Sequence, residues 1–252
     1  MTIAPTPPPA GWYPAPDGSS ATWWWDGARW TQQQQQQQHH QSNQPLATTN
    51  ALARLAMATQ VLLIVCGVMS VATIGIETFG ISAVTNYLNG LNSAIGVFDM
   101  YDQSTFVVSI MSSVSILATG ALWAIWQYRA VKQVTGRMRR SAGWHAGSWF
   151  VPIISFWFPY QNISDLWRAI GRTRPSWQIM WWLLWVLGNV VIQQSNRIYI
   201  AADDLDQLRV AMWLIIVGET LRLAAAPLAW LVVRGITGGI LRSTVPAHSL
   251  AG

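Results

Sequence analysis

From Leu55 onward the apolar residues run together in stretches too long for the core of a soluble domain; before Leu55 small, polar and aromatic positions alternate without any such run. A helix rising 1.5 Å per residue needs about 20 apolar residues to cross roughly 30 Å of hydrocarbon. "LAMATQVLLIVCGVMSVATIGI" (55–76), "FVVSIMSSVSILATGALWAIWQY" (106–128) and "VAMWLIIVGETLRLAAAPLAWLVV" (210–233) meet that length. "WQIMWWLLWVLGNVVIQQS" (177–195) is a fourth, with Trp177, Trp181 and Trp182 suited to the membrane interface, where an indole keeps its N–H wet. The pattern predicts a mainly α protein with a four-helix transmembrane bundle.

A fifth apolar stretch, "GWHAGSWFVPIISFWFPYQ" (143–161), is broken by Pro152 and Pro159. Each proline removes an amide donor and disfavours straight helix, so a Pro-kinked interfacial or re-entrant segment over 143–172 is expected. Charge supports that choice. With four crossings and the N-terminus in the cytoplasm, Arg29, Arg54, Arg129, Lys132, Arg137, Arg139, Arg140, Arg168, Arg172, Arg174, Arg234 and Arg242 lie inside, and only Arg197 and Arg209 outside. A fifth crossing would export Arg168, Arg172 and Arg174 against the positive-inside rule. The outer loops hold Glu77, Asp99 and Asp102, then Asp203, Asp204 and Asp206, and read as solvated acidic loops. Within the first, the spacing of Ile81, Val84, Leu88, Leu91 and Ile95 predicts a short amphipathic surface helix.

The N-terminal part has a different grammar. A Pro-rich tail (1–10) precedes "GWYPAPDGSSATWWWDGARWT" (11–31), where Asp17-Gly18 and Asp26-Gly27 are turn signals separating Trp12-Tyr13 from Trp23 to Trp25, with Trp30 at the end. This pattern predicts a tiny Trp-rich β module whose stacked aromatics stand in for a core. A Gln-rich stretch (32–50) cannot build a core and reads as a disordered linker. The multi-pass membrane domain then covers 51–242, and 243–252 is a tail.

Composition narrows the chemistry. Of 252 residues, 52% are hydrophobic and only 10% charged, far below the roughly 25% charged of soluble proteins. The net charge of +5 sits beside apolar runs, which assigns it to membrane topology and not to nucleic acid. A lone cysteine, Cys66, excludes an internal disulfide. His39 and His40 have no companion ligands, and His145 beside Trp144 reads as an interfacial hydrogen bonder. No nucleophile elbow, phosphate-binding glycine loop or metal-ligand spacing is present. The expectation is no catalytic residue, no cofactor, no metal, and a protein that is not an enzyme.

Two groups of charged residues are candidates for function. Glu219 and Arg222 form an i, i+3 pair near the middle of the last crossing, where ionisable groups are costly. They are read either as a neutralising pair that holds helices in register or as part of an ion or proton path. Arg137, Arg139, Arg140, Arg168, Arg172 and Arg174 lie just inside the membrane and are candidates for anionic-lipid contact.

"GWYPAPDG" followed by "WWWDGARWT" resembles the short module catalogued as domain of unknown function family 2510, common in actinobacterial membrane proteins. Ala15 stands where such modules usually carry an acidic residue, and Trp23 where a basic one often stands. "SAGWHAGSWFVPIISFWFPYQNISDLWRAI" (141–170), flanked by two crossings on either side, is similar to domain of unknown function family 4328, and the likeness extends over roughly 50–240. These resemblances imply a multi-pass protein of the bacterial cytoplasmic membrane and bring no activity with them.

The functional expectation is a non-enzymatic scaffold or sensor with both termini cytoplasmic. Its partners are the bilayer and a cytoplasmic protein held by the module through Trp12, Tyr13, Trp24, Trp25 and Trp30. The alternative is a subunit of a small oligomeric transporter or channel using the Glu219/Arg222 helix; a homo-oligomer is the assembly that this reading needs.

Overall fold

The computed structural model describes residues 8–16, 18, 22–91 and 95–244, without the side chains of 31–49 and 244. The expected tails, 1–10 and 243–252, therefore lie largely outside the described residues. Two compact units are present, Met1–Ala51 and Leu52–Gly252.

In the first unit, β1 (Gly11–Pro14), β2 (Thr22–Trp25) and β3 (Trp30–Gln32) form an antiparallel sheet in that order. The β2–β3 turn is built by Asp26, whose Oδ1 accepts the backbone N–H groups of Ala28 and Arg29, both at 2.7 Å. Those two donors hold the Asp26 carboxyl below its ordinary pKa. Gly27 follows with φ +102°, a conformation that favours a residue without Cβ. Asp17, half of the other expected turn signal, lies outside the described residues, and Gly18 has φ +77°.

The second unit is helical. Its long elements are the part of α1 (Gln33–Leu88) from Leu52 on, α2 (Ile95–Gln133), α5 (Trp177–Ala201) and α6 (Leu205–Thr244). Between α2 and α5 come α3 (Ala142–Gly147), a 3₁₀ turn (Ile154–Phe156) and α4 (Phe158–Ala169). α1 begins at Gln33, inside the 32–50 stretch expected to be a disordered linker, and side chains along that stretch are described only from Asn50.

Among the described residues, three helices are long and apolar enough to cross a membrane, over Asn50–Leu88, Ile95–Gln133 and Leu205–Ser243. They contain the expected crossings 55–76, 106–128 and 210–233. The fourth, 177–195, lies in α5, whose 25 residues suffice in length but whose Trp, Gln and Asn residues lower its mean hydropathy. The apolar surface is organised for a non-aqueous surround. On α1 Met57, Val61, Ile64, Val68 and Val71 recur every three or four residues and are all exposed, as are Ile179, Met180, Leu183 and Leu187 on α5.

The surface helix expected within 77–105 is not a separate element. α1 runs through Gly80 without interruption to Leu88 and ends at Gly90, φ +69°. Glu77 is correspondingly buried, not a solvated loop acid, and its Oε2 accepts the Tyr101 hydroxyl at 3.1 Å. The Tyr101 ring covers Gly80, where a Cβ would collide with it. The second acidic cluster starts α6: Asp204 Oδ1 accepts the Gln207 N–H at 2.7 Å, capping the helix, and Asp206 pairs with Arg209 at 2.6 Å.

The Pro-interrupted segment is bent as expected. Ile153, a β-branched residue, has φ +67°, a strained conformation, and Pro159 sits in the first turn of α4, where its missing N–H costs nothing. At 12 residues α4 is about 18 Å long, too short to span. It is instead packed: Ile163, Leu166 and Trp167 are buried in one core with Trp126, Trp181, Val233 and Ile236. Two glycines of α6 make room for it. A Cβ on Gly235 would meet the Trp167 ring and one on Gly239 the Ile170 side chain.

Candidate functional site

Glu219 and Arg222 are joined on α6, Arg222 Nη1 lying 3.0 Å from Glu219 Oε1. Their other partners come from two further helices. Ser70 of α1 donates its hydroxyl to Glu219 Oε2 at 2.6 Å, and Arg222 Nη2 donates to Asn189 Oδ1 of α5 at 2.7 Å. Asn189 in turn donates its amide to the Trp185 carbonyl at 2.6 Å. Close packing permits this chain, since a Cβ on Gly188 would sit 3.1 Å from the Gly218 carbonyl oxygen. Both carboxylate oxygens of Glu219 are thus engaged. Sequence reasoning found the charged pair and missed Ser70 and Asn189; a lone Asn amid the apolar 177–195 run was the available signal.

A cavity of about 320 Å³ borders this cluster, lined by Cys66, Ser70, Ser112, Thr119, Asn189, Glu219 and Arg222 among mostly apolar side chains. Cys66 is partly buried there, its Sγ 3.2 Å from Thr119 Oγ1.

The basic residues converge partly. Arg139, Arg168 and Arg174 line one open cavity of about 820 Å³ together with Phe156, Trp157, Tyr160 and Trp182. Buried Asp165 anchors two of them: Arg139 Nε lies 3.5 Å from its Oδ1, and Arg168 pairs with the same oxygen. Both arginine side chains remain about half exposed. Arg174 lies over the Tyr160 ring at 5.4 Å. Arg140 instead faces inward, donating to Asn162 Oδ1 at 3.0 Å and Gln161 Oε1 at 2.7 Å and lying over Phe158. Arg137 and Arg172 are exposed outside this cavity. Asp165 was missed by sequence reasoning, although its i, i+3 spacing to Arg168 was visible.

His145 is corrected outright. It is fully buried, and neither ring nitrogen has a hydrogen-bond partner among the described residues. Burial pulls its pKa down to about 4; Asp165 opposes that shift and Arg140 adds to it. It is a neutral core ring, not an interfacial hydrogen bonder.

The five candidate partner-binding aromatics divide between the faces of the small sheet, because successive strand residues point to opposite sides. Trp12 and Trp24 are cross-strand partners with ring centroids 5.3 Å apart. On the other face Trp30 lies 4.9 Å from Trp25 and 6.0 Å from Tyr13. Trp12 and Trp30 are 50% and 36% exposed, so aromatic surface is left open on both faces.

Among the described residues, no group of three or more His, Cys, Asp or Glu side chains is placed to hold a metal. These features define a helical membrane protein carrying an aromatic β module. The chain belongs to the family described as Domain of unknown function (DUF4328), whose model matches residues 91–238. A second model, Protein of unknown function (DUF2510), matches residues 10–43. The first match begins after α1, so it is shorter than the likeness expected over 50–240. No curated protein and no solved structure matches the chain.

Proposed function

We propose that the protein is a non-enzymatic scaffold or sensor of the bacterial cytoplasmic membrane, with four crossings, cytoplasmic termini and a module that binds a protein partner. The observation that carries the reading is the open aromatic surface: Trp12 and Trp30, one on each face of a three-stranded sheet, stay exposed. Large rigid rings supply contact area at little entropic cost and are enriched at binding surfaces.

The fourth crossing is supported by pairing. Gly188 packs against Gly218, and the Ser195 hydroxyl donates to the Ala211 carbonyl at 2.7 Å, so α5 runs antiparallel beside α6. A helix so placed beside a spanning helix shares its depth. The three arginines of the basic cavity, with exposed Phe156 and Trp157 beside them, suit anionic headgroups at the inner leaflet. The engagement of both Glu219 carboxylate oxygens favours a structural lock over an ion path. The transporter reading retains one observation, the mostly apolar cavity that Glu219 and Arg222 border, and proton flux that Glu219→Gln abolishes would establish it.

The test is photo-crosslinking in cells from positions 12 and 30. A defined protein, captured from either position and lost when residues 11–31 are deleted, supports the reading. A capture profile indifferent to that deletion contradicts it.

A further inference from the structure

The module does more than present aromatic rings: two of them already hold a proline-rich backbone. Trp25 Nε1 donates to the Pro8 carbonyl at 3.0 Å, and the Tyr13 hydroxyl donates to the Pro9 carbonyl at 2.9 Å. The donors come from adjacent strands and the same face, and they take consecutive carbonyls of one segment. We infer that the Tyr13/Trp25 face is a binding site for proline-rich peptide segments, held in this chain by its own residues Pro8 and Pro9. This rests on the partner-binding reading above and gives it a ligand class.

The chemistry follows from what proline lacks. A proline has no N–H, so a run of them cannot join a sheet edge as a regular strand. Its extended backbone makes no internal hydrogen bonds, which leaves every carbonyl free to accept. A surface that recognises such a segment needs side-chain donors carried on flat apolar rings, so that the N–H or O–H meets a carbonyl while the ring covers a pyrrolidine. Trp25 and Tyr13 provide the two donors on aromatic rings, and Trp30 extends the aromatic surface between them. The sequence supplies Pro5, Pro7, Pro8 and Pro9 within five residues. The family model of the module begins at residue 10, so the two bonded carbonyls belong to a segment attached to the module and not to the module itself.

A segment attached this closely acts at an effective concentration of order millimolar. A proline-rich segment of another protein must therefore displace it, and removing it exposes the site.

The test uses the full-length chain in lipid nanodiscs, either intact or lacking residues 2–9. The probe is a fluorescent peptide APTPPPA, with a control peptide in which every proline is alanine. Anisotropy is expected to show the shortened chain binding the proline peptide about tenfold tighter than the intact chain, with the alanine peptide unbound. Trp25→Phe and, separately, Tyr13→Phe keep a ring but lose the donor, and each is expected to weaken binding to the shortened chain severalfold. Equal binding of both peptides, or none of either, overturns the site. Equal affinity of the intact and shortened chains overturns its occupation by Pro8 and Pro9. A protein still crosslinked from position 12 or 30 after such a result would leave the partner-binding reading standing without this ligand class.

Discussion

Arg222 of α6 and Asn189 of α5 are 33 positions apart in sequence and 2.7 Å apart in space, guanidinium to amide oxygen. With Ser70 on the far side of Glu219, this contact turns a charged pair on one helix into a connection among three. Burying charge is expensive, and it is tolerated here because each charge has a counter-charge and a neutral hydrogen-bond partner.

Removing one charge should therefore cost more than removing both. Arg222→Met leaves Glu219 without its counter-charge and is expected to destabilise the folded protein by about 3 kcal/mol. The double variant Glu219→Gln with Arg222→Met should recover a large part of that loss. Thermal unfolding in detergent, comparing the two single variants with the double, checks the order. A double variant as unstable as the sum of the singles would contradict the lock.

Gly235 is needed for space and Gly75 is not. A Cβ at Gly235 meets the Trp167 ring, while at Gly75 nothing lies within 4 Å. Gly235→Ala is expected to lose about 1–3 kcal/mol through overpacking, and Gly75→Ala to be neutral or to gain up to about 1 kcal/mol from helix propensity. Parallel melts of the two variants separate packing from propensity.

His145 should make stability depend on pH. Its folded pKa, about 4, lies below the ordinary histidine value of 6.5, so between these values the unfolded chain binds the extra proton. Stability from this group is full above about pH 6.5 and is lost as pH falls toward 4, at about 1.4 kcal/mol per pH unit for one proton. His145→Phe should flatten the curve in that window, as measured by unfolding midpoints from pH 4 to 7.

The basic cavity predicts selective lipid retention. Arg168→Gln combined with Arg174→Gln should reduce phosphatidylglycerol copurifying with the protein, detected by native mass spectrometry, with little change in phosphatidylcholine added as a neutral control. Arg172→Gln, outside the cavity, should leave both unchanged.

Hydropathy made most of the architecture readable in advance because span length and charge asymmetry are one-dimensional signals. The apolar runs at 55–76, 106–128 and 210–233 all fall within helices long and apolar enough to cross. The outer part of α1 was misread because Glu77 looks like the end of a membrane segment. Its carboxyl is instead hidden under Tyr101, 24 residues later, and a single chain position carries no trace of that contact. The same limit applies to His145, whose burial depends on how α2 and α4 pack against α3, and to Asn189, whose partner lies on the next helix. The Trp-rich stretch was legible as strands from its Asp26-Gly27 turn. The engagement of Pro8 and Pro9 was not, because it depends on which face Tyr13 and Trp25 share.

Four crossings require the bent segment between α2 and α5 to stay on the cytoplasmic side, so that α5 becomes the fourth. Topology reporters fused after Arg174 and at the C-terminus of the full chain test this directly. Both are predicted to report cytoplasm; a reporter after Arg174 that reads external would contradict the four-crossing arrangement and remove the basic cavity from the inner leaflet.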